Sequence, residues 1–140
     1  MTIADQDLIK RATEATRACR ALAPLKEGWN WMGYVGAALV TDSGSIFTGI
    51  NLSLECGIGF CAEHSAIAEM VKHGETKISR IAATTEKGTV IPPCGRCREL
   101  MFQIDNDNLE TVVLLGNNRV LCLKDLLPER WQESFDAPLG

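Results

Sequence analysis

At 140 residues and 46% hydrophobic content, the chain suits a single domain with its own core, expected over 1–140, and leaves no room for a second. A net charge of −4 without a basic run argues against tight non-specific binding to nucleic acid, which needs clustered Lys and Arg, and favours a small soluble ligand. No run approaches the length of a membrane span, and "MTIADQDLIK" lacks the basic-then-apolar order of a signal peptide, so a cytoplasmic protein is expected.

The first element is a helix over 4–22, with Leu8, Ile9, Ala12, Ala15, Cys19 and Leu22 on one face and Pro24 ending it. "GYVGAALVTD" and "IFTGINL" read as strands joined by the turn "DSGS", a hairpin. The loop "SLECGIG" leads into a helix carrying Ala62, Ala66, Ile67, Met70 and Val71 as one buried stripe, closed by Gly74 as a C-cap. "ISRIAATT" is a third strand, and "CRELMFQI" a helix with Cys97, Leu100, Met101 and Ile104 at helical spacing. "TVVLLG", the turn "NN" and "RVLCL" add two strands before a short terminal segment, "LKDLLPERWQ". Strands alternating with helices predict a three-layer α/β/α sandwich around a mixed sheet of about five strands.

Six cysteines in a reducing compartment point to metal or catalytic chemistry rather than to disulfides. Cys19 and Cys122 read as small buried hydrophobes. Cys94 and Cys97 form a C-x-x-C in "PPCGRCREL", and Cys61 opens "CAEH". Both clusters fall where a loop enters a helix, the place where open α/β sheets build their sites. Helix N-termini favour thiolates, and three thiolates suit Zn²⁺ with a coordination position left open for water. Residues two apart on a regular helix diverge by about 200°. Cys61 and Glu63 therefore face one metal only if Cys61 is the cap.

"CAE" followed by "PCGRC" 33 residues on resembles the signature of the zinc-dependent cytidine deaminases. "VGAALVTDSGSIFTGINL" looks like that family's first hairpin, and "LLP" recurs near its C-terminus, so the resemblance covers nearly the whole chain. It implies a cytidine deaminase-like fold, zinc held by Cys61, Cys94 and Cys97, and Glu63 as proton shuttle in hydrolytic deamination of a cytosine-bearing nucleoside. It also implies a homotetramer, a homodimer being the alternative, and substrate contacts from Asn51 and Ala62. Family members often follow C-A-E with an arginine that offsets thiolate charge. Here that position is His64, and Arg96 inside "CGRC" resembles the arrangement of the blasticidin S deaminases, which makes Arg96 the charge-compensating residue. The family's N-x-E reads "NLSLE": Ser53 replaces the acid, so either Glu55 supplies it from the next turn or ribose is not what is held.

Other readings compete. A structural zinc site would need a fourth ligand, with Cys56 or His64 nearby, and would make the chain a zinc-stabilised binding domain. A thioredoxin-like C-x-x-C would leave Cys61 and Glu63 unexplained. Trp29, Trp31 and Trp131 read as core or interface residues, and Phe102, off its helix's apolar stripe, as a second contact for an oligomer.

Overall fold

The computed structural model describes residues 1–22 and 30–135. Helix α1 (Ile3–Ala15) starts at a capping box, Thr2 N–H donating to Asp5 Oδ2 at 2.7 Å and Asp5 N–H to Thr2 Oγ1 at 3.1 Å. The expected single helix is broken at Thr16, whose hydroxyl donates back to Thr13 O at 2.8 Å, and a short α2 (Arg17–Arg20) follows. Pro24 and Trp29 lie outside the described residues. Leu22 is exposed and Cys19 only half-buried.

Strands β1 (Asn30–Thr41) and β2 (Ile46–Leu54) form the expected antiparallel hairpin. The turn closes by Thr41 N–H to Ser45 O at 2.9 Å, with Gly44 at φ +88°. A two-residue β3 (Gly59–Phe60) then pairs back on β2, and α3 (Ala62–Lys72) follows. The end of α3 is a Schellman motif: Gly74, φ +82°, donates to Val71 O at 2.9 Å and Glu75 N–H to Met70 O at 3.2 Å. Next come β4 (Ile78–Thr85), a two-residue β5 (Val90–Ile91), α4 (Gly95–Ile104), a 3₁₀ turn (Asn106–Glu110), β6 (Val112–Leu115), β7 (Arg119–Cys122), α5 (Leu123–Leu126) and a 3₁₀ turn (Trp131–Ser134). Asn117 and Asn118, at φ 60° and 58°, turn β6 into β7 in the manner of a type I′ hairpin.

The strands make one mixed sheet in the order β3-β2-β1-β4-β6-β7, with β5 alongside β4. Its pairings are antiparallel except β4 with β6. The seven strands exceed the expected five by the two-residue β3 and β5. Alternation along β1 and β4 sends Ala37, Leu39, Ile81 and Ala83 to a core shared with α3 and α4. Ala38 and Ala82 face Leu8 and Ala12 of α1 on the other side. Helices thus cover both faces, the α/β/α arrangement the alternation predicts. Among the described residues, no helix is long and apolar enough to cross a membrane.

One close approach seats α3. A Cβ on Gly49 of β2 would lie 2.5 Å from Ala66 N and 2.7 Å from Ala62 O. Neither backbone atom can rotate away, so Gly49→Ala is expected to destabilise the protein by about 1–3 kcal/mol. Urea denaturation reads this, and an unchanged midpoint would show that α3 does not depend on the contact.

Candidate metal and catalytic centre

N-cap positions ordinarily carry Ser, Thr, Asp or Asn, whose side chains bond the first turn. Here α3 and α4 are capped by Cys61 and Cys94, both extended (φ −72°, ψ 157°; φ −68°, ψ 168°) and without a side-chain cap hydrogen bond, although backbone N–H groups of Arg96 and Cys97 lie near the Cys94 sulfur. The sulfurs meet instead, Cys61 Sγ lying 3.5 Å from Cys94 Sγ. Each helix adds the residue three positions on. Cys97 Sγ, 0% exposed, is 3.4 Å from Cys94 Sγ, and His64 Nδ1 is 3.5 Å from Cys97 Sγ. Both Sγ···Sγ distances approach the edge of about 3.8 Å that a tetrahedron with Zn–S bonds of about 2.3 Å would have.

Cys61, His64 and Cys97 place their ligand atoms within 4.8 Å of one another, a cluster that suits a metal ion. Cys94 closes on two of the three from the cavity side. His64 is one of the two candidates for a fourth ligand, and the contact that brings it to Cys97 spans 33 residues. Its signal was the shared spacing of Cys61-x-x-His64 and Cys94-x-x-Cys97. Cys56, the other candidate for a fourth ligand, is exposed at φ +63° and outside the cluster.

Electrostatics also favour a cation. Burial, then the Cys94 contact, pushes the Cys61 thiol up, and burial, then the charge of Glu63, pushes Cys97 up. For Cys94 burial acts upward, but backbone N–H groups of Cys97 and Arg96 and the neighbouring thiols together bring it down. Burial raises Glu63, 4% exposed, above the ordinary carboxylate range, and burial followed by Arg96 lowers His64. Crowded groups that resist ionising together are the donor set a divalent cation would satisfy.

A cavity of about 460 Å³ opens onto these groups. Its lining includes Cys61, Ala62, Glu63, Cys94, Arg96 and Asn51, so six of the eight sequence-derived site residues share one space. Cys97 lies buried behind it. Glu55 is not part of the lining, although Leu54, Gly57 and Ile58 around it are: Leu54 N–H donates to Ile58 O at 2.8 Å to close the β2–β3 loop, and Glu55 stays exposed on it. Asn51 holds the scaffold, Val35 N–H donating to its Oδ1 at 2.9 Å and its Nδ2 to Ser53 Oγ at 3.3 Å. Val35 of β1 also lines the cavity, as do Ile91 and Pro92 at the end of β5, a two-residue strand with no periodic pattern to mark it. Trp31 and Trp131 are exposed rather than core and do not line the cavity, Trp131 donating to Glu99 on α4. Phe102 is buried, with the Arg130 guanidinium over its ring at 5.7 Å, so its second contact is within the chain.

Sulfur ligands at two helix starts beside a buried carboxylate have the chemistry of a hydrolytic metal centre. Residues 5–114 match the family described as the cytidine and deoxycytidylate deaminase zinc-binding region. A cytidine deaminase of Halalkalibacterium halodurans is 34% identical over 84 residues, covering 59% of this chain and 62% of that one, just under two thirds of its length. A blasticidin-S deaminase of Bacillus cereus is 27% identical over 107 residues, covering 70% and 76%. The crystal structure of cytidine deaminase from Burkholderia pseudomallei superposes with a TM-score of 0.70 at 31% identity, covering 94% of this chain and 100% of that one. The chain belongs to the cytidine and deoxycytidylate deaminase family, of the zinc aminohydrolase type.

Proposed function

We propose that the protein hydrolytically deaminates a cytosine-bearing nucleoside or nucleoside analogue to its uracil form and ammonia. The observation that carries this reading is Glu63: a buried carboxylate on the cavity wall, two residues from Cys61, with its protonated form favoured by burial. Cys61, Cys94 and Cys97 would hold zinc, with His64 against Cys97. When bound, zinc supplies the Lewis acidity that makes water a nucleophile near neutral pH. Glu63 then moves two protons. It takes them from the attacking water and delivers one to ring N3 and one to the amino group that leaves C4 as ammonia. Ala62 lines the same cavity and offers its backbone to the base. Arg96, at the cavity wall, offsets thiolate charge.

An ultraviolet assay across cytidine, deoxycytidine, 5-methylcytidine, cytosine and blasticidin S tests this. Conversion of at least one cytosine nucleoside is expected, and conversion of none by zinc-loaded protein overturns it. Two other readings have observations behind them. Arg96 within "CGRC" favours a dedicated blasticidin S-type deaminase, for which blasticidin S alone would be converted. His64 beside the thiols favours a closed, non-catalytic zinc-stabilised binding domain, for which nothing would be.

The six cysteines are all thiols, which supports a cytoplasmic protein. Self-association, as a tetramer or a dimer, is supported by an apolar groove along α3 and α4 lined by Phe60, Ile67, Val71, Leu100 and Ile104. Light scattering at micromolar concentration is expected to give a multiple of 15.3 kDa. A clean monomer would remove this assignment.

A further inference from the structure

Of the three sulfur-bearing residues, Cys94 has the least packing to hold it: Cys97 is buried and Cys61 half-buried, whereas Cys94 is exposed. Cys61 follows directly on β3, whose Gly59 and Phe60 pair with Ser53 and Leu52 of β2. Cys94 has no strand leading into it. β5 ends at Ile91, and the two residues before Cys94 are Pro92 and Pro93, neither of which carries an N–H to tie the approach to a neighbouring strand.

Arg98, one helical turn further on, takes over that task. Its backbone N–H donates to Cys94 O at 3.1 Å, and its side-chain Nε donates to Pro93 O at 2.9 Å. One residue thus holds the carbonyls of both peptide groups that flank the Cys94 Cα. The other end of the guanidinium, Nη1, donates to Leu126 O at 3.2 Å, 28 residues away in the chain. Leu126 closes α5, which is seated on the core by Leu123, 0% exposed, with Leu126 and Leu127 packed beside it. Arg98 itself is half-buried, does not line the cavity and joins none of the salt bridges among the described residues. Its planar fork is used on two carbonyls, which fixes the cap loop at a set distance from α5.

Resting on the zinc assignment above, we infer that Arg98 is a positioning residue for the metal centre: it clamps the Pro93–Cys94 peptide to α5 and so presets the Cys94 sulfur for the ion. A ligand that has to be ordered as the ion binds weakens binding by the conformational entropy it loses. Arg98 removes that loss for the one sulfur that packing leaves unsupported.

The test measures zinc affinity by chelator competition, and melting midpoints with and without zinc, on the full chain and its Arg98→Met and Arg98→Lys variants. Arg98→Met keeps an unbranched stem and loses the donors. Its zinc affinity is expected to fall by roughly 10- to 100-fold, the range for residues that orient metal ligands. The gap between zinc-loaded and apo midpoints should shrink with it, because that gap reads the affinity. Arg98→Lys, with one ammonium in place of the fork, should lose less. A residue that only bolts α4 to α5 would lower both midpoints alike and leave the affinity unchanged, and that result overturns the inference while the zinc assignment stands. If Arg98→Met does not fold, Arg98→Lys decides: weaker zinc binding supports the inference and wild-type affinity overturns it. A wild-type chain that binds no zinc overturns both.

Discussion

Replacing Glu63 with Gln is expected to lower deamination by roughly 10²–10⁴-fold or more while the protein keeps its fold and its metal. The side chain is 4% exposed and its neutral form is favoured by burial, so the neutral amide of similar shape costs little in packing. What it loses is basicity. Glu63 is also the acid that reaches the cavity from the first turn of α3, so no neighbour among the described residues takes over its proton transfers. Steady-state rates, zinc content by elemental analysis and a melting curve on the same preparation check this together. Loss of zinc or unfolding in the Gln variant, or an undiminished rate, would remove Glu63 as the shuttle and the assigned mechanism with it.

The second large effect is expected at Cys97. Wild type should contain about one zinc per chain, and Cys97→Ala should lose it together with all activity. Cys97 is 0% exposed at the point where α4 meets the core beside Met101. Its loss leaves the cluster without its most buried sulfur and a small void behind it. Metal binding to such a cluster is also folding free energy, so the melting midpoint is expected to fall by about 10 °C or more. Cys94→Ala should lose metal and activity as well, but it is exposed at the rim. Its apo form should therefore melt close to chelator-treated wild type, whereas apo Cys97→Ala should melt below it. Equal midpoints for the two variants, or full zinc in either, would contradict these placements.

Much of the site was readable along the chain because its spacing is local. A cap and the third residue of the first turn share one side of a helix, so "CGRC" and the start of "CAEH" announce their geometry without any tertiary information. Turn chemistry is local too: Gly44 between β1 and β2, and Asn117–Asn118 between β6 and β7, take the positive φ that their residue types favour. The face of each long strand followed from alternation, as Ala37, Ala38 and Leu39 show by going to opposite cores.

Three thiols, one carboxylate and the helix starts that hold them are legible from residue types and spacing alone. Which of these groups meet, and which candidates stay outside, follows from how α3, α4 and the sheet pack. His64 reaches Cys97 because α3 and α4 pack with their N-termini together. Glu55 stays exposed on the loop that returns β2 to the two-residue β3, while Leu54 and Gly57 on either side of it line the cavity. Strands as short as β3 and β5 are stabilised by the neighbour they pair with rather than by any pattern of their own. Phe102 is covered by Arg130, brought over it by the terminal segment. The contacts of His64 with Cys97 and of Arg130 with Phe102 depend on packing between residues far apart in the chain, and two-residue strands are too short to carry a period, so neither leaves a periodic trace in the sequence.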